Sequence, residues 1–276
     1  MSSVFFPREI RNKVTRLYAF VRSADDYVDL PIPDASGFQA FEAQYRDALQ
    51  GRTTSSTIIQ SFVELMQEAQ FDPLWVDAFL NAMRSDLTHV PCKNLADTEN
   101  YMYGSAEVVG LMMCRIMGLP ETAYPSAQRL GKAMQYINFL RDIEEDRLLG
   151  RIYLPTEEIK KFGLVELTES HAKANLPQFS KFVSDQVQRF LSWVEEAEHG
   201  YHFIPSQPRA AIATATDMYK WTAISIRKNP LVVFERKLKP SRLRVLCQGT
   251  RKFMSCYFDK SGASYAAAVA PPRSTT

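Results

Sequence analysis

The 276-residue sequence is poor in glycine and contains no stretch that divides it into domains. It has 11 glycines, and few of its segments alternate between apolar and polar residues, so strands are hard to place and helices easy. No Gly/Ser-rich or Pro-rich linker interrupts it. Because 46% of its residues are hydrophobic, the chain can bury one large core. We predict a single all-α domain over residues 1–259 and a disordered tail, rich in Ser, Ala and Pro, over residues 260–276.

Cysteine is also scarce, and the charge is nearly balanced. The spacing of the cysteines matches neither a zinc site nor a disulfide framework, which favours reduced, buried thiols at Cys92, Cys114, Cys247 and Cys256. A formal net charge of +2 is too balanced to predict nucleic-acid binding. No apolar run is long enough for a signal peptide or a membrane span. We therefore predict a cytoplasmic protein, and contact with a membrane surface and the oligomeric state stay open.

Capping residues, prolines and glycines mark the ends of the predicted helices. Asp34 caps the second helix, and Pro73 begins the fourth. Asp97 or Thr98 caps a fifth helix, which the pattern extends without a break to Gly118. Apolar stripes predict further long helices in the second half of the chain.

One stretch carries an acidic stripe where a core face is expected. Gln135, Asn138, Asp142, Glu145 and Asp146 follow one another at helical steps of three and four residues. Apolar residues flank the stripe on both sides. The pattern predicts one helix that packs among others and presents carboxylates to an enclosed space.

A second acidic pair repeats the four-residue spacing near the start of the chain. Asp25 and Asp29 lie on the first predicted helix, with Arg22 before them, just as Arg141 lies beside the later pair. A single acidic pair on a helix is most often a solvated face, but two such pairs suggest two walls of one cavity. Hard carboxylate oxygens suit Mg²⁺, with Mn²⁺ as a substitute, and Mg²⁺ in proteins usually also binds substrate phosphates. We expect a diphosphate to bridge metals held by both walls.

This arrangement predicts a particular chemistry. Metals acting as Lewis acids, together with arginines that hold phosphate oxygens, let a diphosphate depart without proton transfer. The carbocation that remains needs aromatic faces and the exclusion of water. A helical bundle that is polar at one end and apolar below supplies such a container.

Four segments together resemble the squalene/phytoene synthases. They are residues 25–29, residues 101–110, the Gln-x-x-Asn-x-x-Arg-Asp-x-x-Glu-Asp run of residues 135–146, and Arg151-x-Tyr153-x-Pro155. The likeness covers roughly residues 5–256. It implies an α-helical bundle of the isoprenoid-synthase type with a central cavity. It also implies Mg²⁺-dependent, head-to-head joining of two prenyl diphosphates through a cyclopropyl diphosphate intermediate.

The resemblance also implies roles for individual residues. It assigns the metal cluster to Asp25, Asp29, Asp142 and Asp146, supported by Asn138 and Glu145. It assigns the diphosphates to Arg22, Arg141 and Arg151, and it places Tyr101 near the reacting centre. Further substrate-contacting positions are Tyr153, Tyr219, Arg236, Gln135, Ala106, Val109 and Gly110. Glu107 departs from the family pattern, in which glycine is usual at that position.

One residue of the first predicted helix bears on the length of the substrate chain. Thr15 lies where C30-forming relatives carry a bulky aromatic, and a small side chain there is expected to lengthen the cavity. We therefore favour two geranylgeranyl diphosphates and phytoene over farnesyl diphosphate and squalene or dehydrosqualene. NADPH is expected only for a squalene synthase. A non-catalytic assembly factor on the same fold is the alternative of another class, and a terpene cyclase or chain-elongating synthase is disfavoured by the motifs.

Overall fold

The computed structural model describes residues 6–235, 238–241, 244–245, 248 and 250–252, and this part of the chain is α-helical without strands, as predicted. Thirteen α-helices occur within these residues: α1 (Arg8–Val28), α2 (Ala35–Leu49), α3 (Thr57–Ala69), α4 (Pro73–Asp86), α5 (Leu95–Met102), α6 (Val108–Met117), α7 (Tyr124–Arg141), α8 (Ile143–Leu148), α9 (Thr156–Lys161), α10 (Glu169–Ala174), α11 (Leu176–Glu198), α12 (Ser206–Lys228) and α13 (Val232–Glu235).

The predicted caps are confirmed at two helices and wrong at a third. Asp34 accepts a hydrogen bond from the Gly37 amide at 2.8 Å, and Pro73 begins α4. Helix α5 begins earlier than predicted, because Asn94 caps it in a reciprocal capping box with Asp97. The predicted unbroken helix is also interrupted, since a π-helical turn at Tyr103–Glu107 separates α5 from α6.

The acidic stretch is two helices rather than the single helix that its periodicity predicts. Helix α7 ends at Arg141, Asp142 leaves the helical conformation, and α8 starts at Ile143. The backbone bonds nevertheless continue through the break, because the Asp142 amide reaches the Asn138 carbonyl at 2.8 Å. The same distance joins the Asp146 amide to the Asp142 carbonyl. The polar stripe therefore stays nearly in line.

Two large apolar clusters form the core. One contains residues of α1 to α4 and of α6, including the stacked rings of Phe20 and Phe62, whose centroids are 3.7 Å apart. The other contains residues of α7, of α11 and of the end of α12. Helices α6 and α7 pack against each other, so the cavity described below lies between the two clusters.

Small residues bring the central helices close together. A Cβ atom at Gly131 on α7 would lie 2.6 Å from the Ala106 carbonyl oxygen in the π-helical turn, and one at Gly110 on α6 would lie 2.6 Å from the Ala127 carbonyl oxygen. Only glycine allows backbones to approach so closely. These contacts fix the distance between α7 and the chain of the π-helical turn and α6, which line the cavity together.

The remaining sequence predictions concern the cysteines, the C-terminal residues and membrane-spanning helices. Cys92 and Cys114 are buried free thiols, as predicted. Cys247, Cys256, Arg236 and the predicted tail over residues 260–276 lie outside the described residues. Within the part of the chain that the structure describes, no helix is long and apolar enough to cross a membrane.

The contact of Gly200 with Ser126 generates a stability prediction. A Cβ at Gly200 would lie 2.3 Å from Ser126 Cβ and 2.6 Å from its Oγ. We expect Gly200→Ala to lower the free energy of unfolding by about 1–3 kcal/mol through overpacking. A Ser126→Gly background removes both close contacts and leaves the Cα of residue 126 at 3.8 Å, so we expect the same change to become nearly neutral. Denaturant unfolding of the four proteins of this double-mutant cycle measures the difference. Equal losses in both backgrounds would contradict the contact.

Candidate active site

A cavity of about 830 Å³ contains nearly all of the predicted site residues. Its polar end lies where α1 and α4 end, α7 meets α8 and residues 151–153 follow, and its far end is apolar, with Cys114, Leu119, Ala123 and Ile204. The predicted residues that line it are Arg22, Asp25, Asp29, Tyr101, Ala106, Val109, Gly110, Gln135, Asn138, Arg141, Asp142, Glu145, Asp146, Arg151, Tyr153 and Tyr219. The structure thus brings the two acidic motifs to one space.

The expectation for Thr15 is wrong. Thr15 is exposed, its hydroxyl donates to the Arg11 carbonyl at 2.8 Å, and it is not among the described residues that line the cavity. Tyr18 and Val21 line the cavity from α1 instead. At 3.6 residues per turn, the ten-residue separation leaves Thr15 about 80° around the helix from Asp25.

The first acidic pair is held by an arginine from a distant part of the chain. Asp25 and Asp29 lie one turn apart at the end of α1, and Arg151 Nη1 donates to the Asp29 carboxylate at 2.8 Å. Arg151 Nη2 also donates to the Val28 carbonyl. With 5% of its surface exposed, Arg151 is a buried cation that joins the segment after α8 to the end of α1.

The second acidic pair is paired with its own arginine. Arg141 Nε donates to Asp142 Oδ1 at 2.7 Å, and a second nitrogen of the guanidinium contacts Oδ2. Such fork-like pairing fixes both side chains at the break between α7 and α8. Arg22, on α1, forms an ion pair at 2.7 Å with Asp26, outside the acidic pair.

The carboxylates of the two walls disfavour each other's ionised form. Burial, the neighbouring Asp142 and the opposite Asp29 together raise the pKa of Asp146 to about 8, although Arg151 lowers it. Burial and Asp29 likewise raise the pKa of Asp25 to about 7. The mouth of the cavity therefore concentrates negative charge that a cation would relieve.

The donor set fits a divalent cation. The Asn138 side chain donates to Gln135 Oε1 at 3.3 Å, but its own Oδ1 is buried and accepts no hydrogen bond in the described structure. A buried oxygen without a donor is costly unless another group binds it. No three His, Cys, Asp or Glu side chains within the described ranges converge closely enough to hold an ion by themselves. The protein oxygens thus supply part of a coordination shell.

Asp86 is a cavity residue that the sequence reasoning missed. It ends α4, is 4% exposed, and accepts hydrogen bonds from Tyr101 at 2.7 Å and from Tyr153 at 2.8 Å. The rings of the two tyrosines lie 4.7 Å apart, and Phe139 stacks on Tyr153 at 4.6 Å. The signal in the sequence is an acidic residue on the apolar stripe of α4, three residues after Met83.

Glu107, the departure from the family pattern, is also buried. Its carboxylate lies 3.3 Å from Lys132 Nζ, which contacts Glu99 at 3.1 Å as well. Burial raises the pKa of Glu107, whereas Lys132 lowers it. This ion pair joins the π-helical turn to α7, and Glu107 is not among the residues lining the described cavity.

The raised pKa of Asp146 predicts how stability depends on pH. An acid whose pKa rises on folding, here from 3.8 to about 8, binds more protons in the folded state over that interval, so stability falls as the pH rises through it. We expect Asp146→Asn to abolish this contribution and to raise the melting temperature of the metal-free protein at pH 8.5 by a few degrees. Thermal unfolding in chelator at pH 5, 7 and 8.5 measures it. The exposed Asp26→Asn is the control, and a variant that melts below wild type at pH 8.5 would refute the account.

Comparisons with known proteins identify a family. Residues 1–244 match the squalene/phytoene synthase family. A 15-cis-phytoene synthase of Enterobacter agglomerans is 31% identical over 79% of this chain and 78% of its own length. One of Pantoea ananas is 29% identical over 82% and 77% of the two chains. Phytoene synthase 2, chloroplastic, of Solanum lycopersicum is 28% identical over 96% and 84%.

Solved structures show the same fold. A crystal structure of a dehydrosqualene synthase in complex with a ligand matches with a TM-score of 0.80 and 24% identity, over 97% of this chain and 90% of its own. Squalene synthase HpnC from Alicyclobacillus acidocaldarius matches with a TM-score of 0.74 and 23% identity, over 82% and 86%. The fold is thus that of the isoprenoid synthases. Since the family match spans most of the sequence, the chain belongs to the squalene/phytoene synthase family and is a prenyltransferase.

Proposed function

We propose that this enzyme joins two molecules of geranylgeranyl diphosphate head to head, with Mg²⁺, and makes phytoene through a cyclopropyl diphosphate intermediate. The observation that carries the proposal is the pair of acidic walls facing one cavity, with Asp29 and Asp146 close enough for one to raise the pKa of the other. Carboxylates that repel across a cavity fit a site completed by cations and an anionic substrate.

The oxygen donors at the mouth would hold the metal. They are Asp25, Asp29, Asn138, Asp142, Glu145 and Asp146. When bound, Mg²⁺, or Mn²⁺ in its place, polarises the diphosphate and offsets the charge of the leaving group. Because Mg²⁺ commonly completes its shell with water and substrate phosphates, three converging protein carboxylates are not required.

The arginines and the aromatic residues have separate tasks. Arg22 and Arg141 line the mouth, where their guanidinium groups are placed to bind diphosphate oxygens, while Arg151 holds Asp29 in position. Below them, Tyr101 and Phe139 present aromatic faces to the cavity. Such faces stabilise a carbocation, and the apolar lining keeps water away from it.

The far end of the cavity and the curated relatives favour the longer substrate. The deep wall contains small side chains, and α7 runs fifteen residues from Ala127 to Arg141, about 21 Å at 1.5 Å per residue. Phytoene synthases are also the curated relatives described above. The alternative within the family is a C30 synthase that makes squalene, with NADPH, or dehydrosqualene from farnesyl diphosphate. An assembly factor without activity is the alternative of another class.

Product analysis tests the reaction, and Asp142→Asn tests the metal assignment. The enzyme is incubated with each prenyl diphosphate and Mg²⁺, with and without NADPH, and the hydrocarbon is identified by mass spectrometry. We expect phytoene from the C20 substrate, loss of activity in chelator and recovery with Mg²⁺ or Mn²⁺.

Asp142→Asn should lower kcat roughly 100-fold or more. Glu144→Gln, at a half-buried carboxylate paired with Arg147, is the matched control. A C30 main product would refute the substrate, and wild-type activity of Asp142→Asn would refute the metal site.

The position of Ala215 predicts a change of substrate. Ala215 lines the cavity from α12, one turn before Tyr219 and one turn after Ala211, which also line it. We expect Ala215→Phe to fill the passage to the far end and to shift the ratio of kcat/KM for farnesyl over geranylgeranyl diphosphate by about tenfold or more. Ala215→Ser, which adds little volume, is the control. Competition between the two substrates measures the ratio, and an unchanged ratio with Phe would show that the chain binds elsewhere.

A further inference from the structure

A second cavity, of about 640 Å³, lies behind the tyrosine pair. We call it the side cavity. It shares three wall residues with the main cavity, namely Asp86, Tyr101 and Tyr153. These residues form a partition between the two spaces. Part of the remaining wall consists of exposed polar residues that border solvent, among them Ser85, Thr88 and Asn100.

Both hydrogen bonds in this partition are donated to the Asp86 carboxylate. Tyr101 Oη donates to Asp86 Oδ2, and Tyr153 Oη donates to Asp86 Oδ1. A carboxylate that receives two hydroxyl protons can take up one of them if the tyrosine oxygen gains another proton from the main cavity. The partition therefore connects the apolar main cavity to water through one buried carboxylate.

The surrounding charges keep Asp86 a usable base. Burial raises the pKa of Asp86, and Asp29 raises it further, whereas Arg151 and the two tyrosine hydroxyls lower it. On the side-cavity wall, His89 stays neutral, because burial and Arg151 lower its pKa to about 4. Its Nε2 accepts the Ile152 amide hydrogen at 2.7 Å. No described contact makes His89 a cationic partner of Asp86.

We propose that Tyr101 and Asp86 carry the protons released by the reaction out of the main cavity and into the side cavity. The inference rests on the proposed function, which loses one proton when the cyclopropane ring closes and one when phytoene forms. In each step a C–H bond of the carbocation breaks, and its electron pair forms the ring bond or the central double bond. The proton goes to Tyr101 Oη as the hydroxyl proton passes to Asp86, which releases it to water in the side cavity.

Single-turnover kinetics of Asp86→Asn separate this role from a structural one. Ionisation of the first diphosphate precedes both proton losses, so we expect release of the first pyrophosphate to stay close to the wild-type rate. The second pyrophosphate departs only after the ring has closed, so its release should slow together with hydrocarbon formation. Hydrocarbon formation should fall roughly 100-fold, as for the loss of a general base. An unchanged rate of hydrocarbon formation would overturn the proposal and assign the protons to another base, such as the departing diphosphate.

Chemical rescue provides the second arm. Asp86→Ala leaves a space beside Tyr101 that formate can enter from the side cavity, so formate should restore hydrocarbon formation whereas chloride at equal ionic strength should not. Adding Ser85→Trp, which fills the side cavity, should block the rescue, and the exposed Ser170→Trp should not. An equal fall in the release of the first pyrophosphate and in hydrocarbon formation, with no rescue by formate, would overturn the proposal in favour of a structural role. If wild-type enzyme forms no head-to-head hydrocarbon, the proposed function itself is wrong.

Discussion

The site depends on the buried ion pair between Arg151 and Asp29. The two acidic walls come from distant parts of the sequence and face each other at one end of the cavity, and without a cation their carboxylates repel each other. Arg151 offsets this repulsion at one point, where its guanidinium binds both a carboxylate of the first wall and the Val28 carbonyl. Because removing one partner leaves a buried charge unpaired, such a pair fixes geometry more than it adds stability. The mouth is thus held open at a fixed width, with negative charge left over for a ligand.

Asp86 is a second buried charged residue, and its hydrogen bonds position two tyrosines. Its carboxylate is as buried as Arg151, but its partners are neutral hydroxyls, and they hold Tyr101 and Tyr153 side by side. The guanidinium at the mouth and the tyrosine pair below it meet in residues 151–153, which are close in sequence. One short segment after α8 therefore positions the diphosphate end and the aromatic wall together.

What could be predicted from the sequence was local. The acidic pairs followed from helical spacing, because residues four apart share a face whatever surrounds them. The resemblance then pointed to Arg151 and Tyr153 as site residues, but it did not predict that Arg151 binds Asp29. Asp86 gave only a weak signal, since its importance comes from two tyrosines that are distant in sequence. Thr15 failed for a geometric reason, because ten residues do not complete whole turns of a helix.

The two departures from regular helix both lie beside the cavity. At the π-helical turn of residues 103–107 and at the break at Asp142, the chain leaves the α-helical pattern next to the cavity. Neither contains proline, so local propensity did not predict them. At the turn, Gly104 and Gly131 allow backbone contacts that an unbroken helix with larger side chains would prevent. At the break, Asp142 is paired with Arg141 while its amide keeps its bond to Asn138. Irregular backbone here serves to aim side chains at the cavity, and the helices on either side provide the stability that the irregular segments lack.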